Sequence, residues 1–380
     1  SKLVDRSLVY TKKNVDQSFR YNCLETIRQF GHQIIDKSAA ATLNNNHLRY
    51  FLTISEEAYQ QQYEDQLKWL NKLEMEEDNL MTALEWSEKN SSEEFCRLVG
   101  SLTWYWNLKS KFFLAQKFLE KALSNEISDQ DTQARLLFGM GLMKFYFNKF
   151  DRAFEFLNES LELWLSSDQL MGQAVAHSQL GNMLFDHGAK LSHSEQSLEL
   201  ARQIGKPGLI NHCLGSVCLV LVHSKQFKKA LPLVEELIVS SEKLGQPWGI
   251  MAARHFHSDC ALGAKDFKEA EKRYALALKT ALKYGIGFQT FAEMQGIAFA
   301  LSGQKRWKKA IVLNSASIEE GRTIGVSIEG KFDFWDEWTD AYIGSAKGQV
   351  GEEMAKQLEE EGTAMGFENA VEYALDFKKD

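Results

Sequence analysis

Apolar side chains recur along this chain at spacings of three and four residues. Leu24, Ile27, Phe30, Ile34 and Ile35 open the series, and Leu67, Leu70, Leu73, Leu80 and Leu84 continue it. That spacing gathers apolar side chains on one face of a helix. Before Leu24 the pattern differs. Residues 3–10 predict a strand, 11–18 a polar turn and 19–22 a returning strand. Helices are predicted over 46–63 and 66–88. From residue 95 onward they come in pairs, and the later pairs end on glycine. Gly205, Gly245, Gly285 and Gly325 stand 40 residues apart, and Gly366 follows 41 further on. Each follows an apolar or aromatic residue. A glycine just past a helix end adopts the left-handed conformation at little steric cost. Five of them at a near-constant period predict an internal repeat.

The second helix of each pair carries a small residue, a bulky one four later and a small one at seven. The triplets are Ala115-Leu119-Ala122, Ala153-Leu157-Ser160, Ser194-Leu198-Ala201, Ala230-Val234-Leu237, Ala270-Tyr274-Ala277 and Ala310-Asn314-Ser317. A large aromatic precedes five of them: Phe112, Phe150, Phe227, Phe267 and Trp307. The third repeat has Lys190-Leu191 there, with one residue inserted. The first helices keep a small position at Gly141, Gly181, Cys218, Ser258 and Ala298. Small residues let paired helices approach, and the aromatic fills the gap to the next repeat. The pattern resembles the tetratricopeptide (TPR) repeat, with a longer period of 36 to 41 residues. It implies an all-α, right-handed TPR superhelix (an α-α solenoid) over 95–331. Hairpins over 332–347 and 351–365, with helix 367–378, form a degenerate capping unit. Glu353, Gln357 and Glu360 occupy its anchor positions, which suits a polar outer cap.

Composition agrees. Apolar residues make up 44 % of the 380, and there are three prolines, two of them just after ladder glycines. A formal net charge of −8 argues against nucleic acid as the main partner of this segment. The five cysteines show no CxxC spacing and are expected to be reduced thiols of a cytoplasmic protein. No apolar run reaches the ~18 residues of a membrane helix. The chain begins at Ser1 without a methionine, and a fragment of something longer is expected.

Five blocks near the start carry a second resemblance: Leu3 to Val9, Phe19 to Phe30, His47 to Leu52, Trp69 to Glu74 and Asp78 to Trp86. They resemble bacterial STAND-type signalling ATPases, among them AfsR/SARP- and LuxR-like regulators with an NB-ARC module. The resemblance covers about 3–123. It implies a winged-helix remnant (1–38), a helical linker (39–94) and then the TPR sensor, with 332–380 closing the array. The phosphate-cradling G-x-x-x-x-G-K-[ST] loop is absent, so the family's ATPase activity does not carry over. What the resemblance implies is a sensing arm that binds a protein, a peptide or a small-molecule inducer and relieves inhibition of an upstream NB-ARC module. A constitutive scaffold for peptides is the alternative. A metal-dependent or enzymatic protein is the third reading.

The chemistry-bearing motifs are few. Seven of nine histidines lie between 177 and 257, with Cys213, Cys218 and Cys260 nearby. His257 and Cys260 share a helix face, yet no HExxH or Cys2His2 spacing appears. The acids around 74–78 and the basic cluster 304–309 read as solvated surface. No catalytic residue, metal or cofactor is expected. The functional expectation falls on the concave face, lined by the first helix of each pair. Its inward positions are Arg97, Trp104, Asn107, Arg135, Phe138, Phe145, Tyr146, Asn182, Phe185, His212, His223, His255, Asp259, Gln295 and Phe299. The last repeat adds Trp335, Trp338 and Tyr342. Aromatics with sparse polar groups suit a ligand groove, and Trp338→Ala is expected to spare the fold and weaken partner binding.

Overall fold

A computed structural model describes residues 2–13, 19–183, 187–327, 330 and 332–376. The chain opens with a short helix, α1 (Lys2–Asp5), and an antiparallel pair, β1 (Val9–Lys13) and β2 (Phe19–Cys23), in register Val9 to Cys23. The predicted first strand thus starts later, after a turn at Ser7 with φ 57°. Helix α2 (Glu25–Ile34) follows. Helix α3 (Lys37–Gln60) begins nine residues before its apolar pattern suggested. The Asp36 carboxylate accepts from Ala39 N at 2.9 Å and caps its first turn. The single helix expected over 66–88 is two, α4 (Gln66–Met75) and α5 (Glu77–Asn90), broken at Glu76. Leu70, Leu73, Leu80 and Leu84 are buried on both sides of the break.

Six regular helical hairpins come next, each an inner helix followed by an outer one. They are α6 (Ser92–Leu108) with α7 (Phe112–Leu123), α8 (Gln130–Tyr146) with α9 (Phe150–Ser166), and α10 (Leu170–Met183) with α11 (His187–Ile204). Then come α12 (Pro207–His223) with α13 (Phe227–Leu244), α14 (Pro247–Gly263) with α15 (Phe267–Tyr284), and α16 (Gly287–Gly303) with α17 (Trp307–Thr323). The five turn aromatics each begin an outer helix. In the third repeat α11 starts at His187, so Lys190-Leu191 lies a turn inside it rather than at its start. Ala115, Ala153, Ser194, Ala230, Ala270 and Ala310 are fully buried. A β-carbon on Gly141 would sit 2.7 Å from Leu157. Helices this close exclude water and place most of the core between them.

The ladder glycines all have positive φ, from 60° to 79°; Gly245 and Gly285 are left-handed helix caps, whereas Gly366, with ψ 155°, begins α21 instead of closing a helix. The cap is irregular. Helix α18 (Asp333–Trp338) continues through a π turn (Thr339–Gly344) into α19 (Ser345–Val350), and α20 (Glu352–Thr363) and α21 (Phe367–Leu375) pack back on α17.

The array bends until its ends meet. The loop between α3 and α4 reaches across to the fourth and fifth hairpins. The Glu64 carboxylate accepts from Gly208 N (3.1 and 3.2 Å) and Leu209 N (3.3 Å) at the start of α12. The Gln66 side chain accepts from Trp248 N at 2.8 Å at the start of α14. Ser110 Oγ accepts from Phe288 N at 2.9 Å at the start of α16. Helix N-termini carry unpaired N–H groups and partial positive charge, so an acid and two neutral oxygens satisfy all three. Gly208 permits the approach: a β-carbon there would lie 1.8 Å from Tyr63 O.

Gly208→Ala is expected to force this contact apart and lower stability by about 1–3 kcal/mol. Urea unfolding measures it. Gly205→Ala, strained in backbone but open in space, separates local strain from loss of closure by retaining the closed shape in small-angle scattering.

Candidate ligand cavity

The bend encloses a cavity of about 230 Å³. All six inner helices line it: α6 through Trp104 and Asn107, α8 through Arg135, Phe138, Phe145 and Tyr146, and α10 through Gln179 and Asn182. Opposite them stand His212 and His223 of α12, His255 of α14 and Gln289 of α16. Two segments outside the six hairpins close it. Tyr59, Gln62, Tyr63 and Gln66 come from α3, α4 and the loop between them, and Phe332 and Trp335 from the capping unit.

Eleven of the eighteen expected groove residues line this space: Trp104, Asn107, Arg135, Phe138, Phe145, Tyr146, Asn182, His212, His223, His255 and Trp335. Phe185 lies outside the described residues. The other six sit elsewhere. Arg97 turns to Glu56 and pairs with its carboxylate at 2.8 Å. Asp259 is buried behind His255 and accepts from the Tyr274 hydroxyl. Gln295 bridges Trp335 Nε1 (2.6 Å) and Asn314 (3.1 Å). Phe299, Trp338 and Tyr342 form an aromatic cluster with Phe227, Phe267 and Phe334 that seats the cap on the array. Helix A register located the inner face, but could not separate positions turned to the cavity from those turned to the next helix. The expectation missed further inner-helix residues, Gln179, Trp248 and Gln289 among them, and, outside the six regular hairpins, Tyr59, Gln62, Tyr63, Gln66 and Phe332. Those last five lie outside the regular repeats, so no periodicity marks them.

Rings pack in two groups along the wall. His212 lies between Tyr63 (4.8 Å) and Trp248 (4.6 Å). His223 meets Phe332 at 4.8 Å and Phe334 at 5.0 Å. Burial pushes their pKa values down to about 4 and about 3, so both are neutral at neutral pH. His255 behaves oppositely. Burial pulls it down, but the carboxylates of Asp259 (3.5 Å) and Glu293 (3.0 Å) outweigh this and raise it to about 9. Burial in turn lifts Asp259 to about 6, against the pull of His255. Arg135 is paired with Asp131, and its guanidinium lies 4.0 Å from the Tyr59 ring. Asn107 hydrogen-bonds the Tyr146 hydroxyl. Three buried polar atoms of the lining have no partner: Trp104 Nε1, Asn107 Oδ1 and Arg135 Nε. Unpaired buried polar groups are costly, and a cluster of them marks a place where a further molecule completes the bonding.

Among the described residues, no three histidine, cysteine or acidic side chains come together as a metal would need, and no helix is long and apolar enough to cross a membrane. His177 and His193 do meet, Nδ1 to Nδ1 at 2.8 Å, as a pair.

No protein-family profile and no curated protein matches the chain. Solved structures do. A Rap protein complexed with Competence and Sporulation Factor superposes with a TM-score of 0.53 at 13 % identity, over 88 % of this chain and 96 % of that one. NprR in complex with its cognate peptide NprX gives 0.53 at 13 %, over 80 % and 85 %. A STAND protein with a tetratricopeptide repeat sensor from Pyrococcus horikoshii gives 0.46 at 13 %, over 94 % and 60 %, a score too low to bear on the fold. The first two place this chain in a structural class: an all-α solenoid of TPR-like helical hairpins.

Two outcomes follow. Below pH 6.5 an unfolded chain takes up protons that buried His212 and His223 refuse, so stability falls from there toward pH 4. At pH 5 each contributes about 2 kcal/mol of loss. His212→Phe and His223→Phe are expected to flatten the fall in urea midpoint between pH 7 and 5. His255 has the opposite sign: its contribution is present below pH 6.5 and is lost as pH rises through about 9. For Trp338→Ala the packing reverses the earlier expectation. The ring is 8 % exposed, and its loss is expected to destabilise the chain by about 3–5 kcal/mol, measurable by thermal unfolding.

Proposed function

We propose that this chain is a sensing arm that binds a peptide or other small ligand inside its closed superhelix. The observation carrying this reading is the central cavity, walled by every inner helix and holding three unpaired polar atoms. Side-chain amides stand round it on Asn107, Gln179, Asn182 and Gln289. Amides both donate and accept, as a peptide backbone does, and aromatic walls accept its side chains. The Rap protein complexed with Competence and Sporulation Factor and NprR in complex with its cognate peptide NprX support the reading as structures of like fold. The enclosed form favours a captured ligand over an open scaffold.

The finer proposal is the arm of a cytoplasmic STAND-type regulator with an upstream NB-ARC module, as the N-terminal blocks suggest. Phe19 and Tyr21 are exposed on one face of the hairpin, and Phe30 and Ile34, four residues apart, are exposed on α2; they offer apolar surface for coupling. The α3–α4 loop both lines the cavity and holds the closure through Glu64 and Gln66. A ligand with different affinity for the open and closed forms would therefore change how the N-terminal part is held.

The test is a thermal-shift screen of the full chain against peptides and metabolites. A ligand at a hundredfold its Kd adds about 2.7 kcal/mol and raises the melting temperature. Ala292→Trp, which fills the cavity from α16, is expected to abolish that shift. Val175→Phe serves if the first variant does not fold. An equal shift in the filled variants overturns the reading.

A further inference from the structure

The lining is rich in polar groups, yet among the described residues it offers a ligand no free charge. No lysine, aspartate or glutamate lines the cavity. The two cations that do are already engaged. Arg135 is held by Asp131 and covered by Tyr59. His255 Nδ1 pairs with Glu293 at 3.0 Å, and Nε2 lies 3.5 Å from Asp259. Those two carboxylates lie behind the imidazole rather than on the wall, the first also accepting from Gln289 at 2.7 Å. His212 and His223 are neutral. What remains is directional rather than ionic. Trp104 Nε1 and Arg135 Nε are unpartnered donors, and Asn107 Oδ1 is an unpartnered acceptor. Trp104 itself is 92 % buried at 8 % exposure. The Arg135 stem packs 3.4 Å from the place of a β-carbon on Gly100, one turn before Trp104 on α6, so both donors belong to one wall.

We propose that the cavity selects an uncharged, amide-bearing ligand, whose carbonyl oxygens accept from Trp104 and Arg135 and whose apolar groups fill the aromatic walls. The same ligand with a free carboxylate or ammonium is excluded. This rests on the cavity being the ligand site and deepens it: the part of any peptide inside would be blocked or internal, with apolar side chains. The physical reason is desolvation. A charge entering a closed apolar space loses its water, and only a free counter-charge restores that loss. Here Arg135 is paired with Asp131, and the two carboxylates beside His255 lie behind it, off the wall. A carbonyl loses far less and gains two waiting donors.

Three near-isosteric probes test it on the full chain by titration calorimetry: N-acetylphenylalanine amide, N-acetylphenylalanine and phenylalanine amide. The first is neutral, the second anionic and the third cationic at pH 6.0, well below the ordinary α-amino pKa of about 7.7–8. The neutral diamide is expected to bind saturably, and each charged relative at least about tenfold more weakly, or about 1.4 kcal/mol. Trp104→Phe keeps a ring and removes one donor, and is expected to weaken the diamide about tenfold while the charged probes stay weak. Equal binding of a charged probe, or no saturable binding of the diamide, overturns the proposal. Should Trp104→Phe not fold, the three probes on the unaltered chain still decide. Ala292→Trp separates the two levels. Equal affinities for all three that vanish in this variant overturn charge selection alone, whereas diamide binding that survives it overturns the cavity as the site.

Discussion

The structure depends on one contact made far out of sequence: the Glu64 carboxylate at the first turn of α12, with Tyr63 O pressed against Gly208. A helical-hairpin array has no intrinsic reason to close. Each repeat touches its neighbours, and the curve that accumulates is set by small rotations at each step. Here the start of the chain crosses the opening and satisfies helix ends four and five hairpins away. Gln66 and Ser110 repeat the device on α14 and α16. Because a helix N-terminus must find acceptors somewhere, making those acceptors belong to the far end of the array turns a local requirement into a global constraint. Without it the inner face would be an open trough. With it the face becomes a cavity.

Closure also sets the electrostatics of that cavity. Tyr63 arrives with the same loop as Glu64 and packs on His212, removing it from water and holding it neutral. From the other side Phe332 and Phe334 do the same to His223. Tyr59 covers the guanidinium of Arg135. His255 keeps its charge because two carboxylates follow it into the interior. Those carboxylates stay behind the imidazole and off the wall, and the wall speaks to a ligand through hydrogen-bond direction and shape.

Much of this was legible beforehand. The glycine ladder marked four helix ends at Gly205, Gly245, Gly285 and Gly325, and all four have positive φ, whereas Gly366 caps the start of α21. The small–bulky–small triplets marked the outer helices, and the turn aromatics marked their first residues. A second ladder was not legible. Ser110, Asn148, Lys225, Lys265 and Lys305 hold φ between 54° and 67° at the turn inside five of the six hairpins. Only glycine advertises a left-handed position, and none of these is glycine, so the conformation is imposed by the hairpin against local preference. The capping unit misled for a related reason. Its tryptophans read as groove residues because they sit at inner-helix positions; Trp335 does line the cavity, but Trp338, one turn on, does not. Trp338 meets Phe227 and Phe334 instead of the cavity.

By itself the sequence determined the hairpins, their number, their boundaries to within a few residues and which helix of each pair faces inward. These follow from periodicity, from small residues where helices touch and from glycine where helices stop, all of which act between residues near one another in the chain. Only the tertiary structure decided that the array closes, that a loop outside the repeats lines the cavity, and which inner side chains reach it. Those outcomes hang on contacts between residues more than a hundred positions apart, such as Glu64 with Gly208 and Gln66 with Trp248. Summed rotations bring such residues together, and no local pattern encodes the sum.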